Sequence, residues 1–139
     1  NVGICYANGE GVEQSDTEAC KYYKLAADQG HHNAQFNLGN RYAKGLGVIQ
    51  SDTLASKYYM LSAEQGHAEA QLNVGFYYEE GTGVEQSDKK ACEYFILAAD
   101  QGHPHAQSNL GNMYRQGRGV IQSDSLSLKF YKQLESDNR

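Results

Sequence analysis

Apolar residues in this chain recur four apart. Ala34, Leu38 and Tyr42 fall on one side of a helix, and the spacing returns at Ala70, Val74, Tyr78 and at Ala106, Leu110, Tyr114. This is a helical rather than a strand period. It predicts a first helix over about residues 33–44 and its copies, with boundaries near residues 32, 68 and 104. Pro104 suits a first helical position, where no amide bond is lost. A second stripe, Ala19, Tyr22, Tyr23 and Ala26, has counterparts at Ala55, Tyr58, Tyr59 and at Ala91, Tyr94, Phe95, Ala98. It predicts a second helix over residues 16–29, 52–65 and 88–101. Gly30, Gly66 and Gly102 stop that helix, because glycine just past a helix end takes the left-handed angles that satisfy the last carbonyls.

The polar stretches between the stripes are equally regular. The stretch GEGVEQSD at 9–16 returns at 45–52, 81–88 and 117–124, a step of 36 residues each time. Such a period means that one supersecondary unit is stacked, each copy covering the apolar face its neighbour cannot bury alone. The glycines serve a turn, the valine plugs it into the core, and the Ser-Asp pair caps the next helix, with either residue able to act as the cap. Ser15 and Glu18 have capping-box spacing. Gly39, Gly75 and Gly111 lie inside the first helix, where glycine costs roughly 1 kcal/mol against alanine. Three such losses in register imply the close approach of a neighbouring helix, with Ala27, Ala63 and Ala99 as small matching positions.

In the last copy Gln133, Glu135, Asp137 and Asn138 stand where the first has Leu25, Ala27, Gln29 and Gly30. That polar outer face suits the end of a stack. Asn1-Val2-Gly3 aligns with the middle of Asn37-Leu38-Gly39, so a fragment of a longer protein is expected. The copies span approximately 1–31, 32–67, 68–103 and 104–139 of a single domain over 1–139.

These residues resemble the Sel-1-like repeat, a relative of the tetratricopeptide repeat. The match runs through Ala34, Leu38, Gly39, Tyr42, Gly45, Gly47, Val48, Asp52, Ala55 and Tyr58, and it covers essentially the whole chain. Ser127 replaces the helix alanine, Ser62 the first of an alanine pair, and the last copy lacks its closing Gly-His. The resemblance implies an all-α fold, a right-handed α-solenoid superhelix of antiparallel helix pairs with the first of four copies truncated. It also implies a scaffold or adaptor role in protein-protein interaction.

Composition narrows the function classes. Hydrophobic residues make up 40%, as in a folded globular domain, and no apolar run reaches the roughly 20 residues of a membrane span. Net charge is -5 and the 12 Lys and Arg residues are scattered, which argues against nucleic acid as a partner. The three cysteines have no C-x-x-C spacing, so neither a disulfide framework nor a zinc site is signalled, and a reducing, cytoplasmic compartment is the expectation. Cys20 aligns with Ser56, Cys92 and Leu128, a packing position rather than a nucleophile. His31, His67 and His103 recur one copy apart, about 10 Å along the stack, too far to share a metal. Glu79, Glu80 and Glu85 read as a solvated acidic patch rather than an acid/base pair. No cofactor, metal or catalytic residue is expected, and the chain is read as a non-enzyme.

The in-phase asparagines Asn37, Asn73 and Asn109 are the candidate chemistry. Helical geometry puts Asn37 about 100° from the apolar stripe, bordering the face away from the core. Asn33, Phe36, Asn40 and Lys44 complete that face in one copy. Glu69, Leu72, Phe76 and Glu80 follow in the next, then Asn112 and Arg115. In tetratricopeptide relatives the corresponding positions line a concave groove that holds peptides, so the resemblance implies another protein or a peptide segment as partner, with other domains of the same longer chain possible. Electrostatics would set partner choice, with a basic partner residue facing Glu69, Glu79 and Glu80. Two alternatives stand beside this reading. One is binding or hydrolysis of β-lactam-type cell-wall compounds, as in cysteine-rich family members whose hallmark is a bridged cysteine pair per repeat. The other is a purely structural spacer.

Overall fold

The computed structural model describes residues 15–137. Among them are seven helices: α1 Ser15–Asp28, α2 His32–Lys44, α3 Asp52–Glu64, α4 Ala68–Glu80, α5 Asp88–Asp100, α6 Pro104–Gln116 and α7 Asp124–Asp137. Each helix packs mainly on its neighbours in sequence, and most extensively on the other helix of its own repeat. The result is an all-α solenoid.

Serine settles the capping question. Ser51, Ser87 and Ser123 Oγ accept from the amides of Leu54, Lys90 and Leu126 at 3.2, 3.1 and 3.1 Å, which satisfies donors that the first helical turn leaves unpaired. The aspartates instead accept from the preceding glutamines, Gln50, Gln86 and Gln122, at 2.8, 3.0 and 2.7 Å. The capping-box expectation at Ser15 lies outside the described side chains.

The turn stretch is where consecutive repeats touch backbone to backbone. Gly47, Gly83 and Gly119 have φ of 78°, 67° and 71°. A Cβ built on them would sit 2.2, 2.3 and 2.4 Å from the carbonyl oxygens of Asp16, Asp52 and Asp88, at the start of the preceding repeat's second helix. Glycine is required here twice over, by the left-handed angle and by the contact.

The mid-helix glycines do allow close approach, but what approaches is an aromatic ring. A Cβ on Gly39, Gly75 or Gly111 would lie 2.7, 2.5 and 2.7 Å from Tyr59, Phe95 and Tyr131 respectively. Each ring thus packs directly against its own repeat's first helix. The stripe on the second helix also needs one correction. Tyr22 is 41% exposed and Ala26 half-buried, whereas Ala27, Ala63 and Ala99 are 4%, 2% and 4% exposed. Tyr58 and Tyr94 find stacking partners in Tyr42 and Tyr78; for Tyr22 the corresponding position is Tyr6, outside the described residues.

Buried glutamines add a polar seam. Gln35 Nε2 donates to Ala27 O and Gln71 Nε2 to Ala63 O, both at 3.2 Å, reaching back to the preceding repeat. Their own Oε1 atoms accept from Gln65 and Gln101 at 2.7 and 2.9 Å. An amide both gives and receives, so at these two junctions both ends of the buried glutamine side chain are engaged.

Gly66 tests how much the junction contact contributes. Its φ is 90° but nothing lies within 4 Å of a Cβ there. Gly66→Ala should therefore cost only left-handed strain, about 1 to 2 kcal/mol. Gly83→Ala adds the displaced Asp52 backbone and should cost at least about 1 kcal/mol more. Urea unfolding of the two variants measures the difference.

Candidate partner-binding face

The first-helix residues expected to meet a partner divide into those bound into the stack and those left open. Leu72 is a correction: it is 5% exposed and sits in the core cluster with Phe95 and Leu110. Phe36 is half-buried, stacked on His67 with ring centroids 4.5 Å apart and tilted against Tyr59 at 5.7 Å. Phe76 meets Phe95 edge to face at 5.3 Å. Asn40 Oδ1 accepts from the Tyr59 hydroxyl at 2.5 Å, and Asn112 Oδ1 accepts from the Tyr131 hydroxyl. Positions 40, 76 and 112 are equivalent, as are 59, 95 and 131, so asparagine faces tyrosine where phenylalanine elsewhere faces phenylalanine.

The in-phase asparagines do not border a face away from the core. They are half-buried, because a first helix packs on the second helix of the preceding repeat as well as on its own, and 100° of rotation brings the side chain to that junction. Asn73 hydrogen-bonds the Tyr59 hydroxyl, whose pKa burial pushes well above the usual tyrosine value. Asn109 stands one repeat on, opposite the position of Phe95, which has no hydroxyl, and its Nδ2 is buried without a partner. Asn37 lines a cavity of about 180 Å³ with Tyr23, Asn40, Arg41, Lys44 and Leu46. The structure thus brings Asn37, Asn40 and Lys44 together. Asn33 is separate and lines a different cavity with His31, His32 and Gln65.

The charges on this face are partly spent within the stack. Glu69 Oε1 lies 2.7 Å from Nε2 of His103, the N-cap residue of α6. Glu79 Oε2 accepts from Arg118 at 3.1 Å, and Asp16 Oδ1 from Arg41 at 2.6 Å. The last two pairs link consecutive repeats, and the first joins α4 to the start of α6. Glu80, Lys44 and Arg115 are exposed and make no ion pair among the described residues. The acidic patch expected to select a basic partner residue is therefore reduced to Glu80 as its unpaired member.

The histidines act locally. His67 Nδ1 accepts from the Ala70 amide at 3.1 Å and so caps α4, while its ring packs on Phe36 and edgewise on His32. Burial, with His32 adding to it, lowers the His67 pKa. No group of three or more metal-binding side chains occurs among the described residues. Cys20 and Cys92 are buried and free; their thiols donate to the turn carbonyls of Leu46 at 3.1 Å and Arg118 at 3.4 Å. Burial raises both, Cys92 to about 11, which suits packing and not nucleophilic attack. Cys5 lies outside the described residues. No helix among them is long and apolar enough to cross a membrane.

Sequence reasoning missed the glutamine seam, although Gln35, Gln71 and Gln107 recur as regularly as the asparagines. It also missed Arg41 and Tyr23, which complete the cavity around Asn37.

A sequence model of the Sel1 repeat matches residues 1–31, 32–67, 68–103 and 104–134. No curated protein sequence matches. Solved structures do. A Sel1 repeat protein from Oxalobacter formigenes is 35% identical with a TM-score of 0.94, over 99% of this chain and 57% of that one. The c5321 protein, a protective antigen of uropathogenic Escherichia coli strains with an SLR fold, is 31% identical with a TM-score of 0.93, over 99% of this chain and 29% of that one. The chain thus spans less than two thirds of either relative. Helicobacter pylori cysteine rich protein B, 20% identical with a TM-score of 0.70 over 94% and 95% of the two chains, shares the fold.

Two measurements follow from these contacts. Neutral His67 is the form that caps α4, and its folded pKa is depressed, so its contribution is full above the unfolded value near 6.5 and is lost as pH falls below it. His67→Asn keeps a capping oxygen that does not titrate, so the stability gap between the parent and this variant should shift against the parent between about pH 7 and pH 5. A gap independent of pH would contradict that role. In the second measurement, Phe76→Asn alone should destabilise by about 1 to 3 kcal/mol, because its amide faces a ring. Adding Phe95→Tyr should recover about 1 kcal/mol in a double-mutant cycle.

Proposed function

Because the chain belongs to the Sel1 repeat family, whose repeats are generally non-catalytic protein-interaction scaffolds, we propose that it is an adaptor module. It binds an extended segment of a partner protein along the face carried by its first helices. The observation that carries this reading is the open set on that face. Asn37, Lys44, Glu80 and Arg115 take part in no hydrogen bond or ion pair among the described residues, while their neighbours Leu72, Phe76 and Asn40 hold the stack. A rigid support with polar groups left unmatched is what an extended partner needs, since ordering costs are borne mostly by the partner.

The partner residues that suit this face are acidic opposite Lys44 and Arg115 and basic opposite Glu80. The buried thiols of Cys20 and Cys92, donating to carbonyls, fit a reducing compartment and the non-enzymatic reading.

Capture of a defined partner by Asn37→Ala/Asn73→Ala protein tests the proposal. Asn73→Ala also removes one bond to Tyr59, at a cost of about 1 kcal/mol, so folding is checked by circular dichroism. A folded double variant should lose at least about tenfold in affinity, the effect of roughly 1.4 kcal/mol. Unchanged affinity would remove this face from the mechanism. With a mixed-charge partner, added salt should slow association more than it changes dissociation, and a salt-independent association rate would assign partner choice to the apolar and amide groups alone.

A further inference from the structure

The rings on the second helices are not all served alike. Tyr58, Tyr94 and Phe130 hold equivalent positions in α3, α5 and α7, and each stacks on a first-helix tyrosine: Tyr42, Tyr78 and Tyr114 respectively. Lys57 Nζ lies 5.5 Å over the Tyr58 ring, and Lys129 Nζ lies 5.7 Å over the Phe130 ring. From α1, Lys24 also donates to the Tyr58 hydroxyl at 3.4 Å. At both places the chain supplies its own ammonium. Tyr94 departs from this pattern, because Glu93 stands where Lys57 and Lys129 do, and Met60 where Lys24 does. No cation lies over Tyr94 among the described residues, and Lys90 of the same helix lies over Tyr78 instead, at 5.4 Å.

What is left beside Tyr94 is an open groove of about 470 Å³ between the end of α3 and the outer side of α5. Ala63, Tyr94 and Leu97 give it an apolar wall, and Glu64 and Glu93 bring two carboxylates. Both acids are exposed and make no ion pair among the described residues. Burial pushes the Tyr94 pKa up, with Tyr78, Glu64 and Glu93 adding to it, so both carboxylates act on the hydroxyl of this ring. Glu64 is also the last residue of α3, where the helix end carries partial negative charge and disfavours an acid. A cation relieves both losses. The volume is that of roughly 15 waters at about 30 Å³ each, which admits a four-carbon stem and its charged end. Lysine matches each feature, with its stem on the apolar wall and its ammonium on the carboxylates and the ring.

We propose that the groove formed by Glu64, Glu93, Tyr94 and Leu97 binds a lysine side chain of a partner protein, supplying in trans the ammonium that Lys57 and Lys129 supply within the chain. Lysine is chosen over arginine because lysine serves the equivalent ring on either side. A polypeptide is chosen over a free amine because Leu61 and Leu97, 36% and 48% exposed, offer apolar surface that only a longer segment covers. This surface lies on the second helices and does not depend on the reading of the first-helix face.

The test is a titration of nitrogen-15-labelled protein with the blocked peptide Ac-Ala-Ala-Lys-Ala-Ala-NH2, followed by NMR at the backbone amides of Gly66, Tyr94 and Leu97. Saturable shifts at those amides are expected, and the Nε-acetyl-lysine peptide should bind about tenfold or more weakly, as loss of a charge-assisted bond implies. Glu64→Gln should weaken the lysine peptide several-fold, whereas Glu80→Gln should not weaken it. The decisive variant is Glu93→Lys, which restores the residue found at Lys21, Lys57 and Lys129. It should keep the urea midpoint of the parent and lose the saturable shifts, because the groove is then filled from within. Equal binding of the lysine and acetyl-lysine peptides, retained binding by the Glu93→Lys protein, a fall in its midpoint, or absence of saturable shifts at millimolar peptide would overturn the site. Tighter binding of the corresponding arginine peptide would overturn the choice of lysine, and tighter binding of butylamine the choice of a protein partner.

Discussion

Everything in this stack depends on a backbone contact that tolerates no side chain. The second glycine of each turn sits so close to the first turn of the preceding repeat's second helix that a Cβ would fall within 2.4 Å of its carbonyl oxygen. Close contact fixes where the turn lies, the serine four residues on then caps the next helix, and the helix in turn carries the ring that rests on Gly39, Gly75 or Gly111. The chain of cause runs from one residue type to the pitch of the array. Each junction also carries an amide from a buried glutamine, so the contact is both steric and polar.

The same arrangement decides which side chains are left for function. A first helix lies between two second helices, its own and the preceding one, and that leaves only a strip of its surface open. Residues at the edges of the strip are drawn into the stack: Asn40 and Asn112 hold tyrosine hydroxyls, Phe76 meets Phe95, and Glu69 and Glu79 pair with His103 and Arg118. The four-repeat pattern is constant in its backbone and variable in these pairings. Variation at the junctions makes one of them cationic around Lys44, another acidic around Glu80, and gives the face its polarity along the array.

Most of the fold was legible because its determinants are local and repeated. The four-residue apolar spacing, the glycine stops and Pro104 place the helices within a residue or two of where they stand. Gly39 and its copies announced a close approach, though not that a ring from the same repeat makes it, since helical periodicity locates a face and not the atoms opposite. Tyr22 was misplaced because its repeat position is buried to different degrees along the array, fully at Tyr58, by half at Tyr94 and least at Tyr22. The candidate site was less legible. Leu72 and Asn73 look outward on a single helical wheel, yet Leu72 packs into the core cluster with Phe95 and Leu110 and Asn73 reaches Tyr59 of the preceding repeat, and a wheel contains no second helix. The pairing of Asn40 with Tyr59 and of Phe76 with Phe95 was present in the sequence as matched substitutions 19 residues apart, but nothing local marks which positions to match.

The central claim is that this face splits into residues that hold the array and residues held available by it. Urea midpoints of single alanine variants across the face measure that split without needing a partner. Leu72→Ala should fall furthest, by about 2 to 5 kcal/mol as buried leucines do, with Phe76→Ala and Asn40→Ala also lowered. Lys44→Ala, Glu80→Ala and Arg115→Ala should stay within about 0.5 kcal/mol of the parent, as exposed unpaired positions do, and half-buried Asn37→Ala should stay within about 1 kcal/mol. Loss of stability at Asn37 and Lys44 comparable to that at Leu72 would show that these residues too are part of the stack, and the account of a partner-binding face would be contradicted.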